Sequence, residues 1–495
     1  MKNLLLLLLS LLALTSTSLN AQEILLNTEL SNKIDTYLSA GISKGFSGSV
    51  LVMKESQIIL NKGYGLADRE NNLAYISTTV APIGSVTKQF TAAAILKLEE
   101  YGKLKTTDRI SQFFKDIPLD KEEITIHQLL THTAGFIDQI GDSDFNEIPQ
   151  KKFFKAAFSS ILQNNPGEKY AYSNVGYSIL ARIIEVASGM DYELFLHENI
   201  FKPAGMEQTG YFFPTWKENS IAKGYAHGVI NVGSMIERYQ KMDKVTWSLK
   251  GHGGIHSTSE DMYKWHEALN SNTVLSQPSF ERLTTRYVKE TEAGTSYYGY
   301  GWAIYESNRN TKIISHNGGN SIYFHDFIWS PEEDALVILF TNAASKEVEV
   351  AWRIEKMLFD EAYVPTPIKK NLHLLVIDFM ETRILSESQE LADLIEKEYL
   401  PEGSQPNTLN SVGYDILRHE TDNNTEWAIE LFKLNVKLFP KDGNSWDSLG
   451  EAYLRNEQKE LAIISYQTAL DLAPTSNCSW CKSSTEAIER LRKTK

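Results

Sequence analysis

Strand-like segments stand at both ends of the first two thirds of this chain, and their placement limits how it can fold. "SGSVLVMK" (47–54) and "SQIILNKGYG" (56–65) mix β-branched and apolar residues with polar ones, which predicts a β-hairpin. Strand-like segments then return only near the other end, as "YGYGWAIYE", "TKIISH", "FHDFIW" and "ALVILFTN". Helix-like segments precede, separate and follow the two groups. We therefore predict an α+β domain with one antiparallel sheet built from both ends of the domain and a helical insert between them.

Beyond "YVPTPIKK" (363–370) every segment has helical periodicity, and the last part repeats itself. Trp446, Leu449, Gly450, Tyr453, Ala462, Tyr466, Ala469 and Pro474 have the offsets of the tetratricopeptide repeat pattern. Ala428, Phe432 and Pro440 precede Ala462, Tyr466 and Pro474 by 34 residues each. Helical period alone does not fix Gly, Ala and Pro offsets, so we predict an all-α, tetratricopeptide-like domain rather than an arbitrary bundle.

These patterns divide the chain into four parts. We predict a signal peptide at 1–21, a catalytic domain at 22–362, a linker with a degenerate helical pair ending at Pro401 in 363–404, and helical repeats at 405–495. A chain of 495 residues is too long for one ordinary core, which agrees with this division.

The amino terminus is typical of a secretory signal. Met1 and Lys2 are followed by an apolar run from Leu4 to Leu14, too short to cross a bilayer, and then by small and polar residues. We predict cleavage after Ala21. No later stretch is long and apolar enough to span a membrane, so the mature protein is expected to be exported, either periplasmic or secreted.

Charge and cysteine content exclude other classes. The net charge is −14 with no run of Lys and Arg, which argues against nucleic acid as a partner. The two cysteines, Cys478 and Cys481, can close a small disulfide, whereas a zinc site would need two further ligands that are not nearby in sequence. We predict neither a metal nor a cofactor.

Ser-x-x-Lys occurs three times, and context favours Ser85 with Lys88 over Ser220 with Lys223 and Ser479 with Lys482. Ser85 opens a small-sided helix, "SVTKQFTAAAIL". Lys88 follows one turn later on the same face, where its amine can approach the hydroxyl. A serine hydroxyl needs such a base to become a nucleophile. The helix amino terminus would stabilise negative charge at Ser85.

Two further motifs complete a candidate site. Tyr172 and Asn174 form the one Tyr-x-Asn of the chain; a lysine ammonium would ease loss of the phenolic proton, and the amide can contact a substrate. "SHNGGN" places His316 at a strand end before Gly318 and Gly319, whose backbone N–H groups can join that of Ser85 in an oxyanion hole. His252-Gly253-Gly254 has the same pattern but precedes a helix, so it is interpreted as a loop.

In order and spacing, the three motifs resemble those of the penicillin-binding protein and class C β-lactamase group of serine hydrolases. The resemblance covers residues 30–362 and extends to "ITIHQLLTHTAGF", "IFKPAGMEQTGY" and "GGIHSTSEDMYKW". It implies that Ser85 is acylated, that Lys88 and Tyr172 share the proton transfers, that Asn174 orients the substrate and that His316 faces the substrate's far side. Which of Lys88 and Tyr172 is the base stays open.

The sequence departs from the family in three places. Ile322 stands near a position where members usually keep a glycine, which predicts a reshaped cleft. No Ser-Asp-Asn occurs, and His132 in "LLTHTAGF" is interpreted as structural. His316 replaces the lysine of carboxypeptidases and lactamases, which weakens a clamp for a substrate carboxylate. The expected substrates are therefore uncharged esters or amides, although β-lactams and peptides stay open.

Parts of the sequence are also consistent with two alternative functions. "GISKG" at 41–45 fits the Gly-x-Ser-x-Gly of α/β-hydrolases, but Ser43 follows a helix rather than a strand. The chain could instead be a non-catalytic or weakly catalytic module that binds a protein or peptide through its helical repeats. Because all three motifs are intact, we favour a serine hydrolase that acts on a small-molecule or peptide substrate.

Overall fold

The structure is a computed structural model, and it describes residues 23–26, 28–141, 146–242, 245–343, 348–399, 405–418, 424–473 and 478–493. The signal peptide predicted for residues 1–21 lies outside these residues, as do Pro401 and Pro474 of the repeat pattern. Throughout the described ranges, no helix combines the length and apolar character needed to cross a membrane.

One large antiparallel sheet organises the first part of the chain. Within the described residues it has nine strands in the order β1-β3-β2-β15-β14-β13-β12-β11-β10. The large-sheet strands are β1 (Ile24–Leu25), β2 (Gly48–Lys54), β3 (Gln57–Tyr64), β10 (Val288–Lys289), β11 (Tyr297–Tyr298), β12 (Ala303–Glu306), β13 (Lys312–Gly319), β14 (Phe324–Ser330) and β15 (Ala335–Thr341). Short pairs are formed by β4 (Leu66–Asp68) with β5 (Leu73–Ala74), β6 (Ala81–Pro82) with β9 (His256–Ser257), and β7 (Tyr225–Ala226) with β8 (Ile230–Asn231).

The early hairpin and the late strands meet at the centre of this sheet. β2 pairs with β15 over its whole length, with Val50 opposite Leu339. Both strands are apolar on both faces because helices cover both sides. Val50 and Val52 pack in one core, while Leu51 and Met53 pack in another on the opposite face. The prediction of one sheet built from both ends of the domain is confirmed.

Helices fill the middle of this domain and cover the sheet. They are α1 (Glu29–Ile42), α2 (Thr87–Glu100), α3 (Ile126–Leu130), α4 (Gln150–Ser159), α5 (Asn174–Ser188), α6 (Tyr192–Leu196), α7 (Met235–Met242), α8 (Ser259–Asn270), α9 (Gln277–Leu283) and α10 (Val348–Phe359). Helix α2 lies at the centre, and every residue from 86 to 96 is buried. The alanines at 92–94 allow this, since small side chains let neighbouring elements such as α5 approach closely.

The last third of the chain is helical with a hydrophobic core of its own. Its helices are α11 (Leu372–Thr382), α12 (Ser388–Glu398), α13 (Pro406–Arg418), α14 (Asn424–Leu438), α15 (Gly443–Arg455), α16 (Lys459–Asp471) and α17 (Cys481–Lys493). Helices α13 and α14 pack as one pair and α15 and α16 as the next, after the pair α11 and α12. An all-helical region after the sheet domain, as predicted, is confirmed.

Corresponding glycines of the two main pairs make the same contact. A Cβ atom on Gly413 would lie 2.5 Å from the Phe432 ring, and one on Gly450 would lie 2.9 Å from the Tyr466 ring. In each pair the first helix therefore uses glycine to let an aromatic side chain of the second approach its backbone. Cys478 and Cys481 are joined by a disulfide at the start of α17.

Candidate active site

Ser85 lies in a 3-10 turn, Gly84–Val86, that leads directly into α2. Gly84 has φ +50°, a conformation that suits glycine. A Cβ atom on Gly84 would lie 2.6 Å from the backbone nitrogen of Gly319, and one on Gly318 would lie 2.0 Å from the carbonyl oxygen of Ile83. The end of β13 and the turn that carries Ser85 therefore touch backbone to backbone.

Lys88 is fully buried and directs its amine at Ser85. Lys88 Nζ lies 3.1 Å from Ser85 Oγ, 2.7 Å from Asn174 Oδ1 and 2.9 Å from the carbonyl oxygen of His252. A buried amine needs such polar partners, because desolvation without them is costly. The oxygens of Asn174 and His252 hold Nζ beside the Ser85 hydroxyl, at a distance that permits proton transfer.

Tyr172 stands on the other side of Lys88. Lys88 Nζ lies 4.8 Å from the centre of the Tyr172 ring, and Tyr172 also shares a hydrogen bond with Ser85. Burial raises the pKa of Tyr172 above its ordinary value, although the hydrogen bond with Ser85 acts in the opposite direction. The sequence predicts that Lys88 lowers the pKa of Tyr172, but desolvation raises this pKa instead. Tyr172 therefore keeps its proton at neutral pH.

Asn174 is the first residue of α5, and the cap of that helix fixes it. Ser173 Oγ accepts a hydrogen bond from the Gly176 backbone N–H, at 3.0 Å. The Asn174 backbone N–H donates to Asp138 Oδ1, at 3.2 Å. Because Asn174 Oδ1 accepts from Lys88, the group that Asn174 can offer to a substrate is its amide NH2 donor.

His316 on β13 is buried and held in one neutral form. Its Nδ1 lies 2.6 Å from the Asn317 carbonyl oxygen, so Nδ1 carries the hydrogen and Nε2 accepts from the Tyr298 hydroxyl, 2.9 Å away. Burial, reinforced by the charge of Lys88, lowers the pKa of His316 to about 3. The imidazole is therefore uncharged at pH 7. An ordinary histidine pKa predicts an imidazole that is only mostly neutral, so burial strengthens the prediction made from the sequence.

His132 supports the segment that carries Tyr172, and the two rings lie 4.3 Å apart. His132 Nδ1 accepts a hydrogen bond from the Ser173 backbone N–H, at 3.0 Å. Burial is the main cause that lowers the pKa of His132 well below its ordinary value, and the charge of Lys88 adds to it. These contacts agree with the interpretation of His132 as structural.

A cavity of about 210 Å3 opens beside Ser85. Its lining consists of Pro82, Gly84, Ser85, Gln139, Asn174, Met235, Leu249, His252, Gly253, Gly254, Gly319, Asn320 and Tyr323. No Lys, Arg, Asp or Glu is among these described lining residues. The structure thus brings Ser85, Asn174 and Gly319 to the cavity wall. Lys88, His316 and Gly318 are buried and are not lining residues, and Tyr172, which is partly exposed, contacts Ser85 without being one of the lining residues.

The contribution of His252 was not apparent from the sequence. Its carbonyl oxygen is a partner of Lys88, while its imidazole Nε2 lies 2.7 Å from the Ser248 carbonyl oxygen. Burial and the Lys88 charge lower the pKa of His252 to about 3, so this imidazole is also neutral. The segment is a loop, as predicted. Its His-x-Gly pattern, which repeats that of His316, is the sequence signal that could have indicated a place in the site.

The Ile322 side chain does not line the cavity. It is buried against Gly224, where a Cβ atom would lie 2.4 Å from Ile322 Cγ2. Asn320 and Tyr323, on either side in sequence, line the cavity instead. Any reshaping of the cleft in this segment therefore comes from Asn320 and Tyr323.

The competing serines have other surroundings. Ser220 Oγ donates to the Lys217 carbonyl oxygen at 2.6 Å, and Lys223 forms an ion pair with Glu237. Ser43 directly follows α1, and its Oγ donates to the Ala40 carbonyl oxygen at 3.3 Å. Neither serine has a lysine amine within hydrogen-bond distance.

Comparisons with known proteins identify the family. The family described as Beta-lactamase matches residues 35–357. The putative penicillin-binding protein PbpX of Bacillus subtilis (strain 168) is 33% identical over 327 residues, which are 66% of this chain and 77% of that protein.

Solved structures are similar over the same part of the chain. The octameric penicillin-binding protein homologue from Pyrococcus abyssi matches with a TM-score of 0.59 and 25% identity, over 72% of this chain and 82% of that one. The penicillin-binding protein from Bacillus halodurans matches with a TM-score of 0.57 and 26% identity, over 66% of this chain and 99% of that one.

Proposed function

Because the chain belongs to the beta-lactamase family of serine hydrolases, we propose that it forms an acyl-enzyme at Ser85 and hydrolyses uncharged esters or amides. The observation that carries this proposal is the 3.1 Å contact between Lys88 Nζ and Ser85 Oγ at the wall of a cavity. This arrangement supplies a nucleophile, a base and room for an acyl group in one place.

We assign Lys88 as the base of the acylation step; its amine must release a proton before it can accept the one from Ser85. A neutral amine has two N–H donors, which suit Asn174 Oδ1 and the His252 carbonyl oxygen, and one lone pair, which then faces the Ser85 hydroxyl. Ser85 Oγ attacks the substrate carbonyl carbon while its proton passes to Lys88 Nζ. Tyr172, which keeps its own proton, is better suited to donate than to accept one.

Release of the first product and hydrolysis follow from the same groups. The leaving oxygen or nitrogen takes a proton from the Tyr172 hydroxyl, and the proton on Lys88 restores Tyr172. A water molecule then attacks the acyl carbon and gives one proton to the basic pair; the bond between Ser85 Oγ and the acyl carbon breaks, and the pair passes that proton to Ser85 Oγ. The backbone N–H groups of Ser85 and Gly319 are proposed as the oxyanion hole, since both residues line the cavity.

The preference for uncharged substrates rests on the charges around the cavity. The described lining has no cationic side chain, and His316 is neutral at pH 7. A carboxylate in this cavity would lose its hydration without gaining an ion pair at the wall. A simple ester or amide avoids that cost.

Two experiments test the proposal. Intact mass after reaction with a fluorophosphonate should show one adduct in the wild type and none in Ser85→Ala, with Ser220→Ala as a control that keeps the label. A missing adduct in the wild type would favour the binding-module alternative. Next, kcat/KM for a short-chain nitrophenyl ester should exceed that for nitrocefin, and a wide preference for nitrocefin would make the proposed substrate class wrong.

We also propose that the protein is exported and that the helical domain is a tetratricopeptide-like surface for a protein or peptide. The disulfide between Cys478 and Cys481 supports export, because disulfides persist in oxidising compartments. The equivalent contacts of Gly413 and Gly450 support the repeat assignment. Mass spectrometry of the mature amino terminus from the native host would test cleavage after Ala21.

A further inference from the structure

Outside the cleft, the described residues contain a cluster of potential metal ligands that joins the two parts of the molecule. His227 lies in the loop between β7 and β8 of the catalytic domain, His373 lies on α11, and Asp415 lies on α13. The ligand atoms of these three residues all lie within 4.8 Å of one another. The imidazoles of His227 and His373 are stacked, with centres 4.4 Å apart.

Both imidazoles direct a nitrogen at the same carboxylate oxygen. His227 Nδ1 contacts Asp415 Oδ2, and His373 Nε2 lies 3.2 Å from that atom. The other carboxylate oxygen, Oδ1, lies 3.5 Å from Arg418 Nη1. The Arg418 charge is therefore directed at the oxygen that does not face the imidazoles.

The hydrogen bond of His373 Nδ1 leaves the lone pair of Nε2 facing a carboxylate oxygen of Asp415, which is also an acceptor. His373 Nδ1 lies 3.2 Å from Asn371 Oδ1, which can only accept a hydrogen bond from a nitrogen, so Nδ1 carries a hydrogen. In the neutral imidazole Nε2 then has a lone pair, and this lone pair faces the Asp415 carboxylate. Ser411 Oγ lies 3.4 Å from Nε2 as a further polar neighbour, and a proton or a metal ion between Nε2 and the carboxylate would relieve the repulsion between the two acceptors. An outer hydrogen bond of this kind is the usual support of a metal-binding histidine.

The backbone of His227 is consistent with a functional side chain. His227 has φ +53° in a three-residue loop, a conformation that non-glycine residues seldom adopt. Arg69 Nη1 donates to the carbonyl oxygen of the next residue, Gly228, at 2.6 Å, and thereby fixes the loop. The side chain of Val229 packs against the core of the helical domain.

We propose that His227 Nδ1, His373 Nε2 and the Asp415 carboxylate bind one divalent transition-metal ion, of which Zn2+ is the natural candidate. Two imidazoles and one carboxylate suit Zn2+ and disfavour Mg2+ and Ca2+, which prefer oxygen ligands. Water would take the fourth position. The ion would link the β7–β8 loop to α11 and α13, and so would fasten the helical domain to the catalytic domain. This proposal departs from the prediction of no metal made from the sequence, because His227, His373 and Asp415 lie too far apart in sequence to suggest a site.

Metal binding by the full-length protein tests the proposal. After chelator treatment and dialysis, the protein is loaded with ZnCl2 at pH 7.5, and bound zinc is measured by mass spectrometry. We expect one Zn2+ per chain, at least tenfold weaker binding in His227→Gln and His373→Gln, and wild-type binding in His197→Gln. His197 is a matched control, since its partly exposed imidazole lies 3.8 Å from Glu198.

Co2+ binding provides a second measurement, because a cluster that only forms hydrogen bonds would not produce the absorption bands of bound Co2+. Loading with Co2+ should give a visible absorption spectrum typical of four-coordinate nitrogen and oxygen ligands, absent from both glutamine variants. Fluorophosphonate labelling at Ser85 verifies that each variant is folded. Less than 0.1 equivalent of zinc in the wild type would show that the cluster does not bind the ion, and equal binding in the variants and the control would show that zinc binds elsewhere; either result would overturn the proposal.

Discussion

Glycine is used differently in the two parts of the molecule. Around Ser85, a side chain on Gly318 would meet backbone atoms of Ile83 and Ser85. In the helical domain, a side chain on Gly450 would meet the ring of Tyr466. A ring can rotate or shift, whereas a backbone held in a sheet and a helix turn cannot follow without moving the site. The catalytic domain is therefore expected to tolerate less change than the helical domain.

The largest difference between the two domains is expected in their loss of stability at acid pH. In the catalytic domain burial lowers the pKa of four histidines to about 3: His252, His256, His316 and His325. Below pH 6.5 the unfolded chain binds protons that these folded imidazoles do not bind, so stability falls as pH falls. At pH 5 each would cost about 2 kcal/mol. Asp326, whose pKa burial raises, acts in the opposite direction and offsets part of this loss.

Hydrogen exchange of the full chain in urea, at pH 7 and pH 5 and corrected for intrinsic rates, measures this effect by domain. Peptides from the large sheet should lose several kcal/mol of protection at pH 5, while peptides from α13 to α16 should lose less. Equal losses in both domains would contradict the assignment of neutral buried histidines as the cause.

Gly318→Ala should have the next largest effect, and it acts on catalysis. The new methyl group would require β13 or the Ser85 turn to move, because Ile83 O lies 2.0 Å from its position. Displacement of about 1 Å at a reacting atom lowers rates about 100-fold. We expect at least that loss in the rate of fluorophosphonate labelling. Gly450→Ala, in the helical domain, is the control, and labelling of Gly318→Ala as fast as that of Gly450→Ala would argue against the backbone contact.

Gly450→Ala should destabilise only the helical domain. The methyl group would lie 2.9 Å from the Tyr466 ring, and overpacking of this kind costs about 1–3 kcal/mol. Alanine favours the helix by about 0.5–1 kcal/mol, which leaves a net loss of up to about 2.5 kcal/mol. Urea unfolding followed by exchange in α15 and α16 should show the loss, with Ser85 labelling unchanged. Slower labelling would mean that the two domains are coupled more tightly than their separate cores suggest.

Ile464→Ala on α16 should have the smallest effect. Its side chain is 59% exposed, and substitutions at such positions change stability by about 0.5 kcal/mol or less. The same urea experiment measures it beside Gly450→Ala. A loss above 1 kcal/mol would show that this face of α16 is covered, for example by a partner, rather than open to solvent.

Local patterns were sufficient for much of this structure. The spacing in residues 47–65 predicted the hairpin, the alanines after Lys88 predicted a central buried helix, and the Ser-x-x-Lys pair at the start of that helix is in contact as expected. These features depend on residues a few positions apart, where backbone geometry determines which side chains meet.

Features that depend on distant segments could not be predicted in the same way. The His252 carbonyl oxygen that contacts Lys88, and the Tyr298 hydroxyl that donates to His316, come from loops and strands far away in sequence. The pKa of Tyr172 depends on how much protein surrounds it, which no pattern of neighbours reveals. The contacts of His227 with Asp415 likewise exist only after the two domains have packed together.

The pairing of β2 with β15 also limits when the Ser85 site can be completed during synthesis. The segment with Ser85 and Lys88 leaves the ribosome early, but β13, which touches the Ser85 turn, and β14 and β15, which complete the centre of the sheet, are made much later. A partly synthesised chain therefore carries Ser85 and Lys88 without the strand that shapes the cleft. Reactivity of Ser85 should begin only after residue 341 has emerged, so that a nascent or truncated chain is inert toward acyl donors.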